Sequence, residues 1–360
     1  MEHPGFAAVP MQRVGPIKII GDELDEEVMV PLATYESPLW PSTQRGAKAS
    51  RLCGGIRTTI MDERMTRSIL VEAPSALHCR RVIEALPNHL PHMNTLVHQQ
   101  SRHTHLLDFH TQVVGNLLYI RLEFSTGDAS GHNMTTQAAD LLLHWLLEQY
   151  TFLRYVSISA NYCTDKKPTA VNGILGRGKY VVNELLIPRS ICQSLLKTTP
   201  EKIVELNVKK NLIGTTLAGG IRTANAHYAN MLLAFYLATG QDAANIVEGS
   251  QGIVHCELKG EDLYFSVTVP HLIVGTVGNG KHLDFVRHNL ETLGCLEPRA
   301  PGKNARRLAA IAGATILCGE LSLMAAQTNP GELMRAHIEF ERKHTASSAT
   351  PADAPLCEPS

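Results

Sequence analysis

The sequence is short of the features that most often betray a function. Its 360 residues carry a formal net charge of -1, with 33 Lys and Arg against 34 Asp and Glu. That balance gives no electrostatic footprint for nucleic acid or an anionic membrane, so neither is expected as a partner. Eight cysteines (Cys53, Cys79, Cys163, Cys192, Cys256, Cys295, Cys318 and Cys357) are scattered without a C-x-x-C pair. This argues against a disulfide framework or a zinc site and for reduced thiols in a cytoplasmic protein. Among the seventeen histidines, His98, His103, His105 and His110 lack the H-E-x-x-H spacing, so no metal is expected. No stretch approaches about 18 continuous apolar residues, which excludes an evident membrane span. The N-terminus lacks a basic-then-apolar leader. No G-x-G-x-x-G follows a strand, so a standard dinucleotide fold is not indicated. No internal repeat is visible.

What is present suits a globular protein, 44% hydrophobic and 19% charged. At this length two domains are expected. Residues 1–13 read as flexible, and 344–360, rich in Ser, Ala and Pro, as disordered. Residues 17–20 and 28–33 read as a hairpin around an acidic turn. Ser37-Pro38-Leu39-Trp40-Pro41-Ser42 reads as a rigid, partly apolar turn. From 68 to 159 the order is strand 69–72, helix 75–98 interrupted near Pro87 and Pro91, strands 105–114 and 117–125, helix 129–150, strand 153–159. This β-α-β-β-α-β order predicts a ferredoxin-like domain. It would be inserted in a larger mixed helix and sheet domain made of 14–67 and 160–343, giving an α+β fold. Later helices are expected at 189–197, 199–207, 225–239, 282–293 and 305–326, with strands at 180–188, 253–258 and 263–269.

Three stretches carry chemistry. Asn161-Tyr162-Cys163-Thr164-Asp165-Lys166-Lys167-Pro168 places two ammonium groups beside a carboxylate. The proline stops a regular element, so this is an ordered loop, and a lysine there is suited to stabilise an oxyanion. Glu36 sits at a strand end, and a carboxylate against Trp40 would have its pKa raised and act as an acid. Gly127 to Met134 opens a helix with glycines that let a ligand approach the backbone, and a helix N-terminus favours phosphate. Ser101-Arg102 offers a hydroxyl and a guanidinium to a phosphate.

Several segments together resemble the 3-hydroxy-3-methylglutaryl-coenzyme A reductase family. They are 30–36, 127–134, 161–168, 210–214, Gly240-Gln241-Asp242, Gly275-Thr276-Val277-Gly278 and 319–326, and they occur in order from about Val14 to His337. The resemblance implies a four-electron reduction of hydroxymethylglutaryl-CoA to mevalonate and CoA by two NADPH, feeding isoprenoid synthesis. It assigns proton donation to Glu36, oxyanion stabilisation to Lys166, tuning of that lysine to Asp242, and protonation of the departing thiolate to His337. It places Arg67, Ser159, Lys167 and Lys210 on the substrate's carboxylate and hydroxyl, Arg45 near the CoA phosphates, and His227 and Asn230 in the substrate pocket. Ser101, Arg102, Asp128, Asn133, Gly275 and Gly278 fall to the cofactor, with Ser101 and Arg102 matching the NADPH-using branch. It further implies a homodimer or larger homo-oligomer with shared active sites.

The sequence departs from the family pattern after Glu36, where Trp40 would reshape the CoA or acyl pocket. It departs again at Ser130 and His132 in the nucleotide motif, and at 220–224. The alternatives are an NAD-dependent degradative reaction in reverse, and a non-catalytic binding protein of the same fold.

Overall fold

The computed structural model describes Gly5, residues 7–335 and Ile338. His337 and the tail 344–360 lie outside the described residues.

The chain opens with an antiparallel hairpin, β1 (Met11–Gly21) and β2 (Leu24–Ala33). Alternation buries Ile17, Ile19, Val28, Val30 and Leu32 on one face. Order begins earlier than expected: Met11 pairs with Ala33, and the Thr34 N–H donates to the Pro10 carbonyl at 2.9 Å. A helix, α1 (Leu39–Leu52), replaces the expected rigid turn. Pro38 is its N-cap and Pro41 lies in its first turn, where a missing N–H costs no intrahelical bond. Trp40 is turned into the core, its indole N–H donating to the Leu32 carbonyl at 2.9 Å.

Next come β3 (Ile56–Glu72), α2 (Ala76–Gln100), β4 (His105–Val114), β5 (Leu117–Ser125), α3 (His132–Gln149) and β6 (Arg154–Ser157). Helix α2 runs on through Pro87 and Pro91 instead of breaking at them. A loop leads to α4 (Ala170–Leu175), β7 (Gly178–Ile187), α5 (Arg189–Ser194) and α6 (Pro200–Leu206). Thr199 caps α6 by accepting from the Lys202 N–H. The chain continues through a π-helical turn (Asn207–Gly214) into α7 (Thr215–Leu217), then α8 (Tyr228–Ala238) and a 3-10 turn (Ala243–Asn245). It closes with α9 (Ile246–Gly249), β8 (Ile253–Lys259), β9 (Asp262–Leu272), α10 (Asp284–Thr292) and α11 (Lys303–Gln327).

The strands form one branched sheet with the path β2-β1-β3-β7-β9-β8. The branch point is β3. Its first half, Arg57 to Arg64, pairs with β7, while Met65 to Glu72 pairs with β5 and its far end with β6. The branch has the order β6-β3-β5-β4, and with α2 and α3 it reproduces the split β-α-β connectivity. The boundary expected at 67/68 thus falls inside a continuous strand.

Two hydrophobic cores result. The smaller lies among β3, β4, β5, α2 and α3, with Ile69, Val82, Leu86, Phe124 and Leu142 fully or almost fully buried. The larger surrounds α11. That helix is long and apolar enough to cross a membrane by length and composition, yet 94% of its most apolar window is buried within the fold. Helix α1 approaches it closely: a Cβ on Gly46 of α1 would meet the Cys318 carbonyl oxygen at 2.1 Å. At the seam between the cores, fully buried Arg121 pairs with Glu123, which also pairs with Arg64 at 2.5 Å. Removing one partner of such a buried network costs about 3–5 kcal/mol, because it strands the other charge.

Candidate functional site

The loop between β6 and α4 adopts a conformation that its sequence alone does not favour. Asn161, Thr164 and Lys166 all have positive φ (56°, 46° and 56°). Each such residue costs on the order of 1–3 kcal/mol, so the surroundings must hold it. They do so at several points. Ser68 Oγ accepts from the Tyr162 and Cys163 N–H groups at 3.1 and 3.0 Å. Asp165 pairs with buried Arg177 at 2.5 Å, and Glu248 accepts from the Lys166 N–H at 3.2 Å.

The fixed loop delivers Lys166 to Asp242, Nζ to Oδ2 at 2.6 Å. The Asp242 carboxylate also caps the following 3-10 turn through the Ala244 N–H at 3.1 Å. Its hydrogen bond with Asp242 raises the Lys166 ammonium above the ordinary lysine range. Burial pushes the Asp242 carboxyl up, but Lys166 and the Ala244 N–H outweigh it and hold it below the ordinary carboxylate range. The cation is therefore maintained across the neutral range, as an oxyanion stabiliser requires.

Asp242 follows Gln241, whose side chain accepts from the Gly275 N–H at 2.9 Å and donates to the Gly275 carbonyl at 3.1 Å. The second glycine turn is thereby laid against the first. The Thr276 N–H donates to the Asp128 carbonyl at 2.8 Å, and a Cβ on Gly275 would meet the Ser130 nitrogen at 2.4 Å. His132 completes the ring of contacts, with Nε2 3.6 Å from Asp165 Oδ1. Burial and the nearby Arg177 lower its pKa.

A second cluster is organised by α11. Glu320, a lone acid in the middle of that apolar helix, is fully buried and accepts from the Ala226 and His227 N–H groups at 2.8 and 2.6 Å. Burial raises its pKa, opposed by His227, those two N–H groups and Lys210. Burial likewise lowers Lys210, which the π-helical turn carries. One turn along α8, Asn230 Nδ2 donates to Glu36 Oε2 at 2.8 Å. Arg45 is tied to Ser322 (Nε to Oγ 3.0 Å) and to Glu332 at 2.8 Å. Arg67 reaches Ser159 at 3.3 Å and Thr136 on α3 at 3.0 Å. Lys167 is exposed and donates to the Asp165 carbonyl at 3.1 Å.

Among the described residues, no hydrogen bond or ion pair joins the Lys166–Asp242 cluster to the Glu36–Asn230–Glu320 cluster within one chain. Several expected site residues have structural partners. The Asp128 carboxylate caps α11 through the Gly302 and Ala305 N–H groups at 3.0 and 2.9 Å. Ser101 Oγ accepts from the His103 N–H at 3.3 Å. Asn133 is exposed on the first turn of α3, and Gly278 (φ 103°) has open space where a Cβ would stand. Trp40 lies in the core rather than over Glu36. Sequence reasoning missed Glu320, Glu248 and Arg177; of these only Glu320 left a signal, an acid alone in an apolar helix.

A cleft of about 570 Å³ lies between the α2–β4 turn and the start of α11, lined among others by Arg102, His103, Gly127, Gly302 and Lys303. Bare glycine backbone opposite a guanidinium fits the phosphates of a nucleotide. Among the described residues no cluster of His, Cys, Asp and Glu has the form of a metal site.

Fold and site together describe an α+β protein with a lysine–carboxylate pair on an ordered loop and a separate cleft walled by a guanidinium and glycine backbone. The family model described as hydroxymethylglutaryl-coenzyme A reductase matches residues 2–342. The chain is 43% identical over 340 residues to 3-hydroxy-3-methylglutaryl-coenzyme A reductase of Aeropyrum pernix, covering 94% of this chain and 80% of that protein. It is 45% identical over 338 residues to the protein of that name from Pyrococcus abyssi, covering 92% and 82%. A class II 3-hydroxy-3-methylglutaryl-CoA reductase from Streptococcus pneumoniae, solved bound to NADPH, shares the fold (TM-score 0.72, 19% identity, 90% of this chain and 86% of that one). The chain belongs to the hydroxymethylglutaryl-coenzyme A reductase family, and so to the oxidoreductases of the mevalonate route to isoprenoids.

Proposed function

We propose that this protein reduces (S)-hydroxymethylglutaryl-CoA to (R)-mevalonate and free CoA, consuming two NADPH. The observation that carries the reading is the 2.6 Å Lys166–Asp242 pair on a strained loop held against two glycine turns. The bound cofactor supplies hydride to the acyl carbon, twice. The chain's own residues manage charge and protons. Lys166 neutralises the oxyanion that forms at the thioester carbonyl, and Asp242 keeps that ammonium charged and aimed. Glu36, oriented by Asn230, donates a proton to the substrate oxygen. The carbon–sulfur bond breaks as the first, unprotonated oxyanion collapses, leaving an aldehyde and CoA thiolate, so the proton from Glu36 goes to the alkoxide formed when that aldehyde is reduced. His337 is the proposed acid for that thiolate, and it lies outside the described residues. Arg67, Ser159, Lys167 and Lys210 hold the substrate's carboxylate and hydroxyl, with His227 lining the pocket and Arg45 on the CoA side. The cofactor lies in the cleft with Ser101 and Arg102, against the 127–133 and 275–278 turns, which gives residues 68–159 the nucleotide-binding role.

We also propose a homodimer whose active site draws on both protomers. The separation of the two clusters within one chain supports this. So does an apolar surface on and after the π-helical turn, where Ile213, Leu217 and Ile221 are 59%, 88% and 46% exposed. Analytical ultracentrifugation of the active protein gives a dimer or larger species if this holds, and a catalytically active monomer refutes it.

The direct test follows absorbance of the reduced nicotinamide with hydroxymethylglutaryl-CoA. Two equivalents of NADPH consumed per thioester support the reading. Faster consumption of NADH overturns the cofactor assignment alone, and no consumption by folded protein favours a non-catalytic role.

A further inference from the structure

We infer that the 2′-phosphate of the cofactor is held by a guanidinium–imidazole pair, Arg102 and His103, and that His103 takes up a proton when the phosphate binds. The inference deepens the NADPH reading above and rests on it.

Most of the charged groups that face the cleft already have partners. Lys303 and Arg306 approach it from α11. Both are already taken by Glu23, at 3.3 and 2.6 Å, and Glu63 of β3 reaches Arg306 at 3.5 Å. The N-terminus of α11 is occupied by the Asp128 carboxylate. His105 on β4 lines the cleft, but its ring is packed against His98 of α2, centroids 5.3 Å apart. Among the described residues this leaves Arg102 as the cleft cation without a carboxylate partner.

Arg102 instead donates from Nε to His103 Nε2 at 3.1 Å. Guanidinium nitrogens only donate, so that imidazole nitrogen is the acceptor of this bond. A phosphate monoester has a charge of about -1.5 to -2 at pH 7, which one guanidinium only half neutralises. The neighbour able to supply a second positive charge near neutral pH is a histidine. An arriving phosphate draws the Arg102 N–H groups to itself and releases His103 Nε2. That nitrogen then takes a proton from solvent and donates it as a hydrogen bond to the anion. The His103 backbone is already pinned to Ser101 Oγ, so the ring swings about a fixed point.

The test is calorimetric titration of the full chain with adenosine 2′,5′-bisphosphate and with adenosine 5′-monophosphate, at pH 7.5, in two buffers of different ionisation enthalpy. Near that pH the free phosphate is already mostly dianionic, so proton uptake reports the protein. The wild type is expected to prefer the bisphosphate, to take up a substantial fraction of a proton with it and not with the monophosphate, and to lose affinity between pH 6.5 and 8.5. His103→Gln should abolish the uptake and weaken the bisphosphate about tenfold at pH 6.5, the loss of one charged hydrogen bond, with little change at pH 8.5. Unchanged uptake in His103→Gln, with the bisphosphate preference retained, overturns this inference and leaves the NADPH reading standing. No preference in the wild type overturns both.

Discussion

The two halves of the site differ in how completely they are built. Around Glu320 and Lys166, each charged group already has its partner: Glu320 has two backbone N–H groups, Lys166 has Asp242, Asp165 has Arg177, and Glu36 has Asn230. Around the cleft at the start of α11, Arg102 meets only the His103 ring. The difference teaches where ligand binding energy has to do its ordering. The first region is preorganised, so its groups act on a developing charge without reorganising. On the reading proposed above the second would be completed by its ligand, so affinity there would depend on the ligand's charge and on pH.

The sharpest way to break this contrast is at Lys166. Lys166→Ala should lower turnover on the order of 10²-fold or more while the far-ultraviolet circular dichroism stays native. Near wild-type turnover would remove Lys166 from the catalytic role. Next in size is an acid effect confined to the locked region. His271 is buried, with neither ring nitrogen hydrogen-bonded, and burial together with Arg222, Arg177 and Arg121 brings its pKa to about 4. The unfolded chain binds that proton near 6.5, so stability is complete above that value and declines as pH falls toward about 4. The full loss is about 3 kcal/mol. In His271→Leu the melting temperature should vary less with pH across this window; an unchanged slope assigns the effect to other groups. Glu320→Ala should cost roughly 1–3 kcal/mol for each of the two N–H groups it orphans, read as a lower denaturation midpoint. A fully stable variant would show that Glu320 is dispensable to the 225–228 turn. Smallest is Arg102→Ala, which should weaken NADPH about tenfold and NADH hardly at all. Equal effects on both would dissolve the distinction between the two regions.

How much of this was legible in the chain depended on whether a residue's role is local. The strands 105–114 and 117–125 and the helix expected at 199–207 follow from nearest neighbours and are found where expected, the last as α6. Strand β3 was not legible as one element, because Asp62, Glu63 and Arg64 in its middle look like a turn. They are tolerated because Lys179 and Arg306 answer Glu63 and Glu123 answers Arg64 from distant parts of the chain, while Asp62 pairs with Arg64 itself. The α1 start was masked by its prolines, which suit a first helical turn as well as a loop. In the site, motif residues such as Lys166 and Asp242 announced themselves. Glu248 and Arg177 did not, since nothing local distinguishes a buried charge from a solvated one. Asp128, expected at the cofactor, places its carboxylate on the N-terminus of α11, a partner that nothing near it in the chain announces.

The continuity of β3 has a consequence for treating the smaller lobe as a transplantable unit. The lobe enters and leaves the larger one not by two flexible linkers but by one linker and a strand that is central to both branches of the sheet. A graft cut at residues 67 and 159 would therefore carry an exposed strand end and leave Met65 to Arg67 of the larger lobe without their β5 partners, Leu122 to Phe124. Exchange of this lobe between relatives has to splice within register, at a matched pair of backbone hydrogen bonds. By the same reasoning, amide protons along β3 should be among the last to exchange with solvent in either lobe.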